Sequence, residues 1–266
     1  MPAQIIALLP ASVRAIATFS VGFNHIDLHA ARARRIVVTN TPDVLTDATA
    51  DVAMLLMLGA ARRAGEGEAL MRARAWRGWA PTQLLGTHLG GKSLGIVGLG
   101  RIGTAVAKRA AAFGLQIHYL SKTPKQIEGL ALQHHCNEST FWPRCHFLSL
   151  HLPATAETRG FLNSQRLSCL PAGVIVVNTA RGDVVDDDAL IAALRSGHVA
   201  AAGLDVFAGE PHFRAEYALL PNTFLLPHLG SATFETRCAM GHRALDNLDA
   251  IFAGRVPADS VTGNQY

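Results

Sequence analysis

An arginine, two carboxylates and a histidine stand in three short runs of the chain: Arg181 in "VNTARGDVVDDDAL", Asp205 and Glu210 in "GLDVFAGEP", and His228 in "LLPHLGSAT". A guanidinium clamps a carboxylate through a planar, bidentate fork. A histidine oriented by a carboxylate is the usual general acid or base, because its partner fixes the ring and favours the charged form. Together these types suit proton exchange beside a bound anion. Singly, each also has a plain structural reading: Arg181 as a strand cap, Glu210 before Pro211 as a solvated loop residue, His228 after Pro227 as a turn histidine.

A second constellation lies upstream. Gly98, Gly100 and Gly103 have the spacing G-x-G-x-x-G, after the apolar run "SLGIV" and at the start of a helical stretch. The first glycine permits the tight turn, the second lets the backbone approach a pyrophosphate, and the third packs helix on strand. The helix start, with Arg101, Ile102 and Gly103, then presents free N–H groups and a positive dipole end. In this context the pattern predicts dinucleotide binding. An acid at the end of the next strand would hold an NAD ribose; here Ser121, Lys122 and Thr123 occupy that place, with Lys125 following. Hydroxyls and a cation suit a 2′-phosphate, so NADP(H) is expected to be preferred, with NAD(H) possible.

These residues need strand ends to carry them. Short β-rich runs, "RAIATFS", "RIVVTN", "SLGIVG", "LQIHYL", "CHFLSLHLP", "GVIVVNTA", "AAAGLDVF" and "TFLLPHLG", alternate with helical stretches. That rhythm predicts an α/β architecture with a parallel sheet, in which ligands bind at the strand carboxyl ends. Residues 46–229 are expected to form a doubly wound (Rossmann) dinucleotide-binding domain of about six strands, opened by a helix from Asp47 to Arg63. Residues 1–45, read as two strands and a helix, with residues 230–266 and a helix from Phe234 to Phe252, form a smaller domain. The piece "EGEALMRARAWRGWAPTQLLGTHLGGK", bearing Trp76 and Trp79, sits outside the rhythm and reads either as an arm or as a surface excursion.

The remaining features mainly exclude. With 49% hydrophobic residues in 266, the chain can bury proper cores. A net charge of +4 is spread among acids without a basic run, which argues against nucleic acid and for mild attraction of small anions. No apolar run is long enough for a membrane span, and no basic residue precedes the short apolar start. Cys136, Cys145, Cys169 and Cys238 lack metal or disulfide spacing and are expected to be reduced thiols in a cytoplasmic protein. His134 and His135 would face opposite sides of a strand, so no metal is expected there.

Taken in order, "ATFSVGFNHID", "TDATADVAMLLMLGAARR", "GLGRIG", "HLPATAETRGFLN", "VNTARGDVVDDDAL", "AGLDVFAGEP" and "PHLGSAT" resemble the D-isomer-specific 2-hydroxyacid dehydrogenase family, within it the glyoxylate/hydroxypyruvate reductase branch. The resemblance implies that Arg181 binds the substrate carboxylate and keto oxygen, His228 exchanges the proton and Glu210 holds His228. It implies that Val21 and Gly22 receive the substrate carboxylate through their backbone and that Asp205 fixes the nicotinamide carboxamide. Pro153, Thr158, Thr179 and Gly230 fall at positions lining the cofactor. The implied fold is a Rossmann domain inserted in a flavodoxin-like substrate domain, and members are usually homodimers in which the Trp76 to Gly91 region embraces the partner. The expected substrate is a small 2-oxo or 2-hydroxy acid. Family members normally carry another strand, helix and loop before "AIATFSVG", so the substrate domain is expected to be shortened and incomplete. A nucleotide-sensing corepressor and an NAD-linked 3-phosphoglycerate dehydrogenase are the alternatives; the second calls for an acid near Ser121.

Overall fold

The computed structural model describes residues 1–263. The chain divides into two compact units, one of residues 1–48 together with the chain from Ser231 onward, the other Thr49–Gly230.

The first unit opens with α1 (Ala3–Leu8), β1 (Ala15–Ala17), α2 (Leu28–Ala33) and β2 (Val37–Thr39). Asp27 caps α2 by accepting from the Ala30 amide. β1 and β2 pair in parallel, and an antiparallel bridge from Thr39 to Ser260 covers the other edge of β2. The expected single helix is accompanied by a second, α1, because Ile6 has an apolar site to fill among Ile26, Ala31, Ile36 and Val38.

The second unit is built around a seven-stranded sheet. In chain order it contains α3 (Thr46–Ala61, which begins just before the boundary), α4 (Ala64–Arg72), β3 (Ser93–Val97), α5 (Arg101–Ala112), β4 (Gln116–Leu120), β5 (Leu132–His135) and α6 (Glu138–Phe141). It continues with β6 (Phe147–Leu150), α7 (Ser164–Ser168), β7 (Val174–Asn178), α8 (Asp187–Ser196), β8 (Val199–Leu204), α9 (Glu216–Leu219) and β9 (Thr223–Leu225). The last helix, α10 (Phe234–Phe252), belongs to the first unit and packs on β1.

The strand order is β5-β4-β3-β6-β7-β8-β9 with every pairing parallel. The chain winds outward through β4 and β5, returns to place β6 beside β3, and winds outward the other way. The reversal at β3/β6 is the switch point at which a doubly wound sheet binds its ligand. Strands β3, β6 and β7 are buried along their whole length, as continuous apolar runs covered on both faces must be. One face packs Ala53, Met54, Leu56 and Met57 of α3 with Val106 and Ala110 of α5; the other packs Leu190, Ile191 and Leu194 of α8 with Leu148 and Val176.

β5 is an edge strand additional to the runs read from the sequence. Its residues, "LQHH", have neither an apolar run nor clean alternation, and it is held by pairing with β4. Within "EGEALMRARAWRGWAPTQLLGTHLGGK", α4 takes the first part and residues 73–92 are irregular, with Trp79 82% exposed. At the limits of the second unit, the Thr49 hydroxyl donates to the Gly230 carbonyl at 3.0 Å.

Candidate active site

The chemistry-bearing residues of the second unit stand just beyond strand carboxyl ends. β3 runs into the glycine turn, where Gly98 has φ 93°, a left-handed value that disfavours any side chain, and an added Cβ would lie 2.7 Å from the His151 carbonyl oxygen. A Cβ on Gly103 would meet the Gly98 carbonyl oxygen at 2.3 Å, so the third glycine is what lets α5 lie against the turn. Gly100 differs: it is the N-cap of α5, supplies no side-chain cap, and a Cβ there would meet nothing within 4 Å. The amino end of α5 thus opens onto space that no side chain fills, which suits a diphosphate.

Two further observations bear on a dinucleotide. The Thr179 hydroxyl, at the end of β7, is buried and has no hydrogen-bond partner in the protein. A buried unsatisfied hydroxyl is unfavourable unless a ligand or water completes it. The Thr158 hydroxyl donates to the Pro153 carbonyl at 2.6 Å, closing the loop after β6 on which both residues lie. A dinucleotide therefore fits these residues. Arg101 and Ile102 form the first turn of α5, and Gly230 lies at the far end of the His228 turn.

At the end of β4, the loop expected to read the ribose is bonded within itself. Ser121 Oγ donates to the Thr123 carbonyl at 2.6 Å, and His134 bonds the Ser121 carbonyl at 2.9 Å. Lys125, noted only in passing from the sequence, is the anchored cation. Its Nζ donates to the carbonyl of Leu99, inside the glycine turn, at 2.6 Å, and its backbone N–H donates to the buried Tyr119 hydroxyl at 2.7 Å.

Glu210 and His228 meet: Nδ1 of the histidine lies 2.8 Å from Oε2 of the carboxylate. Glu210 is fixed from behind by the Phe207 amide, which donates to Oε1 at 2.8 Å. The ring is half exposed, with Nδ1 committed and Nε2 left as the second proton site. His228 has φ 55°, a left-handed backbone uncommon for a residue with a side chain. Arg181 is drawn toward the same group of loops by close packing: a Cβ on Gly182 would overlap the Phe207 carbonyl carbon at 1.8 Å, so the Arg181 loop lies directly on the chain leading to Glu210. Burial lowers the Arg181 pKa from its usual value, and the charge of Glu210 opposes the shift.

Asp205 is 1% exposed, and its carboxylate accepts the Leu229 amide on Oδ1 at 2.6 Å and the Gly230 amide on Oδ2 at 2.8 Å. Burial raises its pKa, and these two N–H bonds pull it back. Sequence reasoning passed over Asn178, the last residue of β7, whose Oδ1 accepts the Ala180 amide and whose Nδ2 donates to the Arg181 carbonyl, both at 2.9 Å. The available signal was an asparagine two residues before a loop amide, the pattern of an Asx turn. Val21 and Gly22 lie in the first unit, where Asn40 Nδ2 donates to the Val21 carbonyl at 2.8 Å and Ser20 Oγ to the Gly22 carbonyl at 2.5 Å.

Among the described residues, no group of three or more His, Cys, Asp and Glu side chains could hold a metal, and no helix is long and apolar enough to cross a membrane.

The profile of the D-isomer specific 2-hydroxyacid dehydrogenase NAD binding domain matches residues 54–230, and the chain belongs to the D-isomer-specific 2-hydroxyacid dehydrogenase family. It is 48% identical over 254 residues to glycerate dehydrogenase of Hyphomicrobium methylovorum, covering 94% of this chain and 79% of that protein. It is 45% identical over 255 residues to glyoxylate reductase of Thermococcus litoralis, covering 94% and 77%. The crystal structure of the NADPH-dependent glyoxylate/hydroxypyruvate reductase of Sinorhizobium meliloti in complex with NADP and malonate superimposes with a TM-score of 0.87 at 40% identity, covering 94% of this chain and 78% of that one.

Proposed function

We propose that the protein reduces small 2-oxo acids of the glyoxylate, hydroxypyruvate or 2-keto sugar acid type to D-2-hydroxy acids, using NADPH in preference to NADH. The observation that carries this reading is the 2.8 Å couple between Glu210 and His228, which follow the carboxyl ends of β8 and β9 as the glycine turn follows that of β3 in the same parallel sheet. When bound, the reduced nicotinamide supplies a hydride for the carbonyl carbon. His228, protonated on Nε2, gives that proton to the carbonyl oxygen, so that one hydride and one proton turn C=O into CH–OH. Glu210 accepts from Nδ1 and fixes the ring in the orientation that this step requires. Arg181 clamps the carboxylate and stabilises charge developing on the carbonyl oxygen.

The cofactor preference rests on Ser121 and Lys122 in place of an acid and on the anchored Lys125. A homodimer is the expected assembly, the second copy covering the exposed stretch with Trp76, Trp79 and Leu85. The four free cysteines, three of them exposed, suit the cytoplasm.

A panel of 2-oxo acids assayed with both cofactors tests the reading. One or more substrates should turn over, with kcat/KM for NADPH about tenfold or more above that for NADH, since a charge-assisted contact contributes about 1.5–3 kcal/mol. His228→Ala should lower kcat by about 10² to 10⁴ with NADPH affinity nearly unchanged. Equal efficiency with both cofactors removes the NADPH preference, and full turnover by the variant removes His228 from the mechanism.

A further inference from the structure

In the loop after β1, three consecutive carbonyls are each taken by a donor of the first unit. The Ser20 carbonyl accepts from the Thr41 amide at 2.9 Å, the Val21 carbonyl from Asn40 Nδ2 at 2.8 Å, and the Gly22 carbonyl from Ser20 Oγ at 2.5 Å. A trans peptide points its C=O and its N–H in opposite directions, so bonding each carbonyl turns the N–H of the next residue away from the bonded side. The N–H groups of Val21, Gly22 and Phe23 accordingly meet no acceptor among the described residues. Successive free amides can receive an anion. Asn40, the residue beyond β2, is itself held firmly. It is 8% exposed, its amide donates to the Asp259 carbonyl at 3.2 Å, and its own carbonyl accepts from Asn247 Nδ2 at 3.4 Å. The Asp259 carboxylate in turn accepts from Arg243 Nε at 2.6 Å, Arg243 Nη2 at 2.9 Å and Asn247 Nδ2 at 2.8 Å.

We propose that Asn40 and Ser20 are positioning residues for the substrate: they hold the Val21 and Gly22 peptides with carbonyls inward and amides outward, so that these amides receive the carboxylate of the 2-oxo acid. The inference rests on the reductase reading above. Resemblance gives Val21 and Gly22 the carboxylate; the hydrogen bonds add which side chains set the orientation of their peptides. Asn40 and Ser20 act on the substrate through the backbone they hold. The carboxylate keeps its charge while the carbonyl is reduced, so the amides bind ground state and transition state alike. Loss of their orientation therefore appears in KM and not in kcat.

Asn40→Ala removes the donor to Val21 and Ser20→Ala the donor to Gly22, whereas Ser20→Thr keeps the hydroxyl. In the full chain, with the best 2-oxo acid of the panel, each alanine variant should raise KM by about tenfold or more. Their kcat and their NADPH dissociation constant from fluorescence titration should stay within about threefold of the unmodified protein. The inhibition constant of oxamate, a small carboxylate whose carbonyl is not reduced, should rise in step with KM. Ser20→Thr should keep KM within about threefold of the unmodified value. Normal KM in both alanine variants would overturn the proposal. So would a loss of kcat or of NADPH affinity as large as the rise in KM, because general damage to the protein moves all three together. Should Asn40→Ala not fold, the two Ser20 variants decide alone: high KM in Ser20→Ala with normal KM in Ser20→Thr supports the proposal, and equal KM in the two overturns it. Failure of the reductase reading looks different, because there the unmodified protein itself turns over no 2-oxo acid.

Discussion

Gly100 and Gly103 are three residues apart in one motif, yet they do different work. A side chain at 103 strikes the Gly98 backbone, whereas one at 100 meets only open space at the amino end of α5. Gly103→Val should therefore lower the melting temperature along with NADPH binding, and Gly100→Val should leave the melting temperature within about 2 °C, as surface changes within about 0.5 kcal/mol do, while weakening NADPH by tenfold or more. Calorimetry and fluorescence titration on both variants check this; NADPH binding by Gly100→Val at normal affinity would show that the diphosphate does not use this turn. At this scale the sequence was informative wherever residue type dictates role. The glycine spacing, the Glu210–His228 pairing and the hydroxyl-and-lysine segment after β4 were readable. The engagement of Asp205 was not, because its partners are backbone amides, which every residue carries and no spacing marks.

Among the elements, β4 and β5 join through a pair of buried histidines whose tautomers can be read from their neighbours. The Thr140 hydroxyl donates to the Asn137 carbonyl, so it accepts from His135 Nδ1; His135 Nε2 is then the acceptor for His118 Nδ1, 2.9 Å away. A proton added to His135 Nε2 would face the His118 N–H directly. Burial, aided by neighbouring positive charge, lowers the pKa of both rings, and desolvation pushes His151, just beyond β6, down to about 4. In the unfolded chain these histidines titrate near 6.5. The unfolded state therefore binds more protons below that pH, and the stability present above it is lost as pH falls from about 6.5 toward the lowered folded values, at up to about 1.4 kcal/mol per pH unit for each such ring. The urea midpoint should drop between pH 7.5 and 5.0, and less steeply in His118→Gln; a midpoint flat over this range would contradict the neutral pair. The expectation that His134 and His135 face opposite sides is met, since one bonds the Ser121 carbonyl and the other His118. What the sequence lacked was a sign that "LQHH" is a strand. A polar edge strand is specified by the ladder it joins and not by its own pattern.

At the scale of the whole molecule, the second unit keeps within itself both of its apolar clusters, the glycine turn, Arg181, Glu210 and His228. Residues 49–230 produced alone should fold and bind NADPH within about threefold of the full chain; an insoluble fragment, or one that does not bind, would refute its independence. The alternation of apolar runs announced this unit well because a sheet covered on both faces imposes continuous hydrophobic strands. The first unit was less legible, its sheet being only two three-residue strands with a helix, α1, too short to carry a period. The hydrogen bond between Thr49 and Gly230 has a consequence for engineering. A segment of some 180 residues that starts and finishes at one point can be lifted out as a cassette, exchanged for the matching piece of a relative with another cofactor taste, or circularly permuted by joining its old ends with a short linker and opening new ones on a surface loop.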